Sequence, residues 1–261
     1  MSVDASSASS RDMEVALITG GSEGIGYQIA KDLAAEGLTV LLGVRNLEQG
    51  AEAASKIAGK AHAVLLDVTK SELIADAAQQ IRRKFGRLDV LVNNAAIVLS
   101  GGLDTSIPFD EYARQTQPSK VPVDEVRTVW ETNVFGLLMV TQAMLPLLRE
   151  APQARIVNMS SGVGSLGLNS DPAGPYRAIY GPLYGASKTA VNAMTVAMAI
   201  ELEAEGIKVN AACPGYTRTR LTNYAGTQTV EEAARQPVKM ALLDADGPTG
   251  TFSDFSGALP W

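Results

Sequence analysis

The 261-residue sequence has little of what many catalytic and metal sites are built from: one cysteine and one histidine. A lone cysteine excludes an intramolecular disulfide framework and fits a reducing compartment. Cys213 reads as a small buried hydrophobe rather than a nucleophile. Two such residues cannot make a His/Cys metal cluster, and a Ser–His–Asp triad would need His62 as its base. His62 lies in Ala61-His62-Ala63-Val64-Leu65-Leu66, which reads as a strand, so a structural or surface role fits it better. Positive charge is also scarce: 22 Lys and Arg face 28 Asp and Glu, for a net charge of −6 and a pI near 5.0. That balance disfavours nucleic acid or an anionic membrane surface as the main partner. No apolar run reaches the roughly 20 residues needed to span a bilayer. Residues 1–13, rich in Ser and Ala, have no apolar core for a signal peptide or anchor and are expected to form a disordered tail. The expectation is a soluble, cytoplasmic protein with neither nucleic-acid nor membrane partners.

What is present is a chain that is 46% hydrophobic, long enough for one large α/β domain over residues 14–261, with no linker to divide it. Val15-Ala16-Leu17-Ile18 is a short continuous apolar run, as expected of a strand buried on both faces. It leads into Thr19-Gly20-Gly21-Ser22-Glu23-Gly24-Ile25-Gly26, and a helix follows with Ile25, Ile29 and Leu33 stacked at intervals of four, closed by Gly37. Strand, glycine-rich turn and helix open a dinucleotide-binding unit: glycines let the backbone approach a pyrophosphate, and the helix N-terminus offers N–H groups and a positive dipole. Three isolated glycines would suit an ordinary tight turn equally well. The second strand, Leu38 to Leu42, ends at Gly43-Val44-Arg45-Asn46. A carboxylate there would bond the ribose hydroxyls of NAD, whereas an arginine suits the 2′-phosphate of NADP. Arg45 points to NADP, and Glu23 pulls the other way because its charge would repel the same phosphate.

Strand and helix keep alternating. A strand ends at Val64-Leu65-Leu66-Asp67, a helix spans Ser71 to Phe85, and Leu88 to Val92 is a fourth strand ending at Asn93-Asn94-Ala95-Ala96. A longer helix from about Val123 to Leu148 contains Asn133; Arg155 to Met159 is a fifth strand, ending at Ser160-Ser161-Gly162. Lys208 to Ala212 is the sixth, ending at Cys213-Pro214-Gly215. Thr229-Val230-Glu231-Glu232 reads as a capping box, and Gly250-Thr251-Phe252 as a short last strand. Repeated strand–helix units imply a Rossmann-type, doubly wound parallel sheet with helices on both faces. Ligands bind such sheets beyond the carboxyl ends of the strands, where all these polar and glycine-rich groups fall.

Tyr184-Gly185-Ala186-Ser187-Lys188 heads a further helix running to about Glu205, so Tyr184 and Lys188 share one face. An ammonium beside a phenol favours the phenolate and makes the tyrosine a candidate general acid/base. Tyr27 and Lys31 show the same spacing in the helix after the glycine turn, where a solvated surface pair is the better reading.

In this order the residues resemble the short-chain dehydrogenase/reductases, over essentially the whole chain after the tail. Thr19-Gly20-x-x-x-Gly24-Ile25-Gly26 resembles the family's cofactor turn, and Asn93-Asn94-Ala95 its fourth-strand motif. Asn133, Ser161, Tyr184 and Lys188 fall where its catalytic tetrad lies, and Pro214-Gly215 with Thr219 where the nicotinamide end is held. The resemblance implies hydride transfer. Tyr184 would exchange a proton with the carbonyl or alcohol oxygen, and Ser161, with Ser160 as its neighbour, would hold that oxygen. Lys188 would lower the tyrosine's pKa and bind the nicotinamide ribose, and Asn133 would support a water-linked relay to Lys188. Gly20, Ser22, Glu23, Gly24, Ile25 and Gly26 would form the cofactor turn, Asp67 and Val68 would lie against the adenine, and Asn93 and Ala95 would line the adenosine ribose side. Ile25, Thr217 and Thr219 would flank the nicotinamide and pyrophosphate.

The sequence departs from the family pattern in three places. Ala96 replaces the usual glycine, and the segments from Ala96 to Asn133 and from Ser161 to Tyr184 are extended. Both extensions are expected to flank the substrate pocket, with Leu99, Leu103, Ile107, Phe109, Leu166, Leu168, Tyr176 and Ile179 as apolar walls. The second resembles the carbonyl-reductase branch, which includes monomers whose insert obstructs the helix-to-helix contact, so homo-oligomer and monomer both stay open. The expectation is an NADPH-dependent carbonyl reductase of a ketone or aldehyde of modest polarity. Its alternatives are an NAD-dependent alcohol dehydrogenase and a catalytically silent cofactor-binding regulator.

Overall fold

A computed structural model describes residues 13–101 and 109–261. The expected tail therefore lies outside the described residues except for Met13, as do Leu103, Ile107 and the side chain of Phe109. In chain order the elements are β1 (Val15–Thr19), α1 (Gly24–Ala35), β2 (Thr39–Val44), α2 (Leu47–Ser55), β3 (Ala61–Leu65), α3 (Ser71–Phe85) and β4 (Val90–Asn93). Then come α4 (Phe109–Gln115), α5 (Val123–Trp130), α6 (Gly136–Leu148), β5 (Arg155–Met159), α7 (Leu166–Ser170) and α8 (Tyr184–Leu202). The chain ends with β6 (Lys208–Ala212), α9 (Val230–Ala241), β7 (Phe252–Asp254) and β8 (Gly257–Ala258). The sheet order is β3-β2-β1-β4-β5-β6-β7-β8, and every pairing is parallel except β7 with β8.

Every residue of β1, β2, β4 and β5 is buried, the consequence of covering a parallel sheet on both faces. Alternate residues feed two cores. Leu17, Leu41, Leu91, Ile156 and Val209 pack under α3, α6 and α8; Ile18, Leu42, Val92, Val157 and Ala212 pack under α1, α2 and α9. The helical run Val123–Leu148 is 26 residues long and contains an 18-residue stretch with a mean hydropathy of 1.2, enough by length and composition to cross a bilayer. Its α6 part belongs to the core, where Leu137, Val140, Met144, Leu147 and Leu148 are buried against the sheet.

Three helices and one strand lie where the sequence gives no periodic signal. α2 buries only Gly50, Ala53 and Ala54, because it sits so close to the sheet that a Cβ on Gly50 would overlap Val44 and lie 3.1 Å from the Ala63 Cβ. Small residues carry no hydrophobic stripe. α4 and α7 are only 7 and 5 residues long, inside the two extended segments. The expected last strand is one arm of a hairpin: β8 returns antiparallel, with Ser253 opposite Ala258.

Candidate active site

The carboxyl ends of β1, β4, β5 and β6 lie side by side along one edge of the sheet. At β1, Gly20 (φ +64°) and Gly24 (φ +59°) hold the left-handed backbone that glycine adopts without strain. Gly26 is needed for a different reason: a Cβ there would overlap the Gly20 carbonyl oxygen and lie 2.5 Å from Asn94 Nδ2. Asn94 locks the turn, its Nδ2 donating to the carbonyls of Thr19 (2.8 Å) and Gly20 (3.2 Å). Thr19 Oγ1 in turn accepts from the backbone N–H groups of Asn94 (2.9 Å) and Ala95 (3.0 Å). Glu23 occupies the N-cap of α1 without bonding its side chain to the helix. The first N–H groups of α1 are thus left to an outside acceptor, which fits a dinucleotide's pyrophosphate.

Arg45 follows β2, exposed and with no protein partner among the described residues. Asp67 is folded back on its own turn, accepting from the N–H (2.9 Å) and hydroxyl (2.8 Å) of Thr69. Val68 is buried against Gly136. The Asn93 side chain turns into the core, donating to Thr141 Oγ1 (3.0 Å) and Asn158 Oδ1 (2.9 Å). Within the Asn-Asn pair, it is therefore Asn94 whose side chain reaches the glycine turn.

Ser161 caps the turn after β5, its hydroxyl accepting from the Val163 N–H (3.3 Å) and hydrogen-bonded to the Tyr184 phenol. Ser160 faces the other way and is consumed by Asn192, 2.5 Å from its hydroxyl. Lys188 is 3% exposed; its Nζ lies 5.5 Å from the centre of the Tyr184 ring and donates to the Met159 carbonyl at 2.7 Å. Burial lowers Lys188 to a pKa of about 8. The phenol of Tyr184 is raised well above its ordinary value, by burial first and by the neighbouring Cys213 thiol second, with the Ser161 hydrogen bond opposing. The expected lowering by Lys188 does not appear in the protein alone, where burial sets the direction of the phenol's shift and the ammonium is hydrogen-bonded to the Met159 carbonyl.

Asn133 lies in a π-helical turn, Glu131–Phe135, between α5 and α6. Its amide is fully used: Oδ1 accepts from Ile97 N (2.8 Å), and Nδ2 donates to Ile97 O (2.9 Å) and Ser187 Oγ (3.0 Å). It thereby fixes the chain leaving β4 and reaches the neighbour of Lys188 rather than Lys188 itself. π-Turns recur at functional sites, but nothing in the local sequence marked this one.

After β6, Gly215 (φ +75°) leaves no room for a Cβ beside Gln228, and buried Thr217 donates weakly to the carbonyls of Pro214 and Gly215, each at 3.3 Å. Thr219 stands against the glycine turn, its Cγ2 3.4 Å from where a Gly24 Cβ would be. Cys213, read from sequence as a plain hydrophobe, is buried but borders the site, its Sγ accepting from Gly162 N at 3.1 Å. His62 is on β3, four strands from β5, roughly 19 Å at strand spacing, so no Ser–His–Asp triad forms with Ser161.

The two extended segments meet, lining a cavity of ≈ 360 Å³ with Arg114 and Gln117 on one side and Ile179 and Tyr180 on the other. Among the described residues, Ile179, Leu166 and Tyr176 of the expected apolar walls lie in different surroundings. Ile179 lines that cavity, Leu166 is exposed, and Tyr176 lies over Gly162, where a Cβ would come within 2.7 Å of its ring. A phenol, a hydroxyl and an ammonium thus converge beside a turn built for a dinucleotide, an arrangement able to pass a proton to or from an oxygen atom.

The sequence pattern of the short chain dehydrogenase family matches residues 14–230. (−)-Isopiperitenone reductase of Mentha piperita is 33% identical, with 94% of this chain and 97% of that protein covered. Carbonyl reductase [NADPH] 1 of Mus musculus is 30% identical over 95% of this chain and 98% of its own. Among solved structures, 3-ketoacyl-(acyl-carrier-protein) reductase of Brucella melitensis complexed with NADH superimposes with a TM-score of 0.74 at 26% identity, covering 93% of this chain and 96% of that one.

Proposed function

This chain belongs to the short chain dehydrogenase family and is an NAD(P)-dependent oxidoreductase; from that premise we propose that it is an NADPH-dependent carbonyl reductase acting on a ketone or aldehyde. The observation that carries the reading is the convergence of the Tyr184 phenol, the Ser161 hydroxyl and the buried Lys188 ammonium, 5.5 Å from the Tyr184 ring, and the direction follows the reductases to which the chain is similar. In reduction the phenol supplies the proton that the carbonyl oxygen gains, and a neighbouring ammonium stabilises the phenolate left behind.

When bound, the nicotinamide cofactor supplies the hydride. Ser161 holds the substrate carbonyl oxygen by a hydrogen bond, and Tyr184 gives that oxygen its proton. Lys188 keeps a positive charge beside the phenol and orients the nicotinamide ribose. Asn133 positions Ile97 and Ser187 around them, which leaves any role in a proton relay to its backbone or to Ser187. Gly20, Ser22, Gly24, Ile25 and Gly26 cradle the pyrophosphate, and Pro214, Gly215, Thr217 and Thr219 hold the nicotinamide end. Val68 and Ala95 line the adenosine side, Asp67 shapes its turn, and Asn93 supports it from the core. Arg45 reads the 2′-phosphate.

Tyr184→Phe is expected to abolish NADPH-linked carbonyl reduction while NADPH still raises the melting temperature. Wild-type turnover in that variant would sink the assignment. A larger shift with NADH than with NADPH would move the reading to the NAD-dependent alcohol dehydrogenase, with Glu23 as its guide. Cofactor binding without turnover of any carbonyl or alcohol would point instead to a silent regulator.

A further inference from the structure

We infer that Arg220 is a cofactor-specificity residue: it pairs with Glu23, cancels the only carboxylate in the glycine turn, and so lets Arg45 bind the phosphate that distinguishes NADPH from NADH. The inference rests on the NADPH reading above.

Glu23 and Arg45 project from adjoining segments of one sheet edge. β1 and β2 pair in register with Thr19 opposite Gly43, and the N–H groups of Gly20 (2.9 Å) and Gly21 (3.3 Å) both donate to the Gly43 carbonyl. Glu23 bonds nothing in its own helix. Its Oε1 instead lies 3.9 Å from Arg220 Nη1, with the two side chains 64% and 80% exposed. The contact is set by the backbone beneath it, since Thr219 packs on Gly24 and Arg220 follows directly. The loop after β6 therefore delivers a cation to the one acidic position of a turn built for a polyanion.

So exposed a pair contributes little to stability. Its effect falls on a third charge. In water-like surroundings, a carboxylate left uncompensated about one Debye length from a doubly charged phosphate weakens its binding about fivefold. NADH lacks that phosphate. Loss of Arg220 should therefore discriminate between the two cofactors, and loss of Glu23 should restore the balance.

The experiment is a titration of NADPH and of NADH by cofactor fluorescence, on wild type, Arg220→Ala, Glu23→Gln and the double variant, at low and high salt. Arg45→Asp serves as the reference for phosphate reading. Arg220→Ala is expected to raise the NADPH Kd about fivefold and the NADH Kd less than about twofold. Adding Glu23→Gln should return the NADPH value, and salt should compress all the differences. Equal weakening of both cofactors, or no rescue by Glu23→Gln, overturns the inference: Arg220 would then serve the shared pyrophosphate or the loop itself. If Arg45→Asp reverses the preference while the Arg220 cycle is flat, this inference falls and the NADPH reading stands. A wild type that prefers NADH overturns both.

Discussion

Gly26→Ala sets two magnitudes against each other. Gly26 is the third residue of α1. In a helix, alanine is favoured over glycine by about 1 kcal/mol, so local propensity alone makes the variant more stable. The tertiary contact says the opposite. The new methyl would overlap the Gly20 carbonyl oxygen and sit 2.5 Å from Asn94 Nδ2, the atom that donates to Thr19 O and Gly20 O. Losing those two hydrogen bonds costs about 1 kcal/mol each, and overpacking a backbone contact adds about 1–3 kcal/mol. The net expectation is destabilisation of about 2–4 kcal/mol, a Tm lower by roughly 4–8 °C for a domain of this size. Urea titration should show a lower midpoint with an unchanged slope, and the NADPH Kd should rise because the displaced turn is the pyrophosphate cradle. Asn94→Ala provides the internal control. It deletes the same two bonds but makes room, so adding Gly26→Ala to it should cost at least about 1 kcal/mol less than in wild type. A Gly26→Ala protein as stable as wild type, with unaltered cofactor affinity, would refute the close-approach argument.

Lys188 predicts an alkaline limb. With Tyr184 raised and Lys188 at about 8, reduction should fall as pH rises through about 8, and Lys188→Met should lose that limb together with most of its turnover. Linkage fixes the sign for stability as well. The folded value lies below the ordinary 10.5, so the unfolded chain binds more protons between about 8 and 10.5. This group's burden on the fold is present in full below about 8 and is relieved as pH rises through that window; urea midpoints of wild type and Lys188→Met should converge there. Trp261→Ala tests the support of the segment after Ser161. Ser165 Oγ donates to Pro260 O and Gly167 N to Trp261 O, each at 2.7 Å, while the Trp261 ring stacks on Phe252 at 5.6 Å. Losing the stack should raise KM for carbonyl substrates more than it lowers kcat, and an unchanged KM would show that this strap does not shape the pocket.

The sequence by itself determined the alternating sheet, the glycine turn and the order of Asn133, Ser161, Tyr184 and Lys188. Those features are written in local terms: apolar runs long enough to be buried on both faces, glycines at turn positions, and a four-residue helical spacing. Elements held by small residues or by a few long-range contacts left no such record, which is why α2, the π-turn at Asn133 and the antiparallel return of β8 escaped it. Tertiary structure alone decided which asparagine of the adjacent pair faces the turn. Asn94 rather than Asn93 reaches the turn and Ser161 rather than Ser160 reaches the phenol, because strand-end geometry sends neighbouring side chains in opposite directions. The direction of the Tyr184 shift was decided there too. Sequence spacing shows that an ammonium is near, but only the packed structure shows that it donates a hydrogen bond to the Met159 carbonyl and that burial is the largest influence on the phenol. Arg220, 197 residues from Glu23 in the chain, became visible only when the fold brought two loops together.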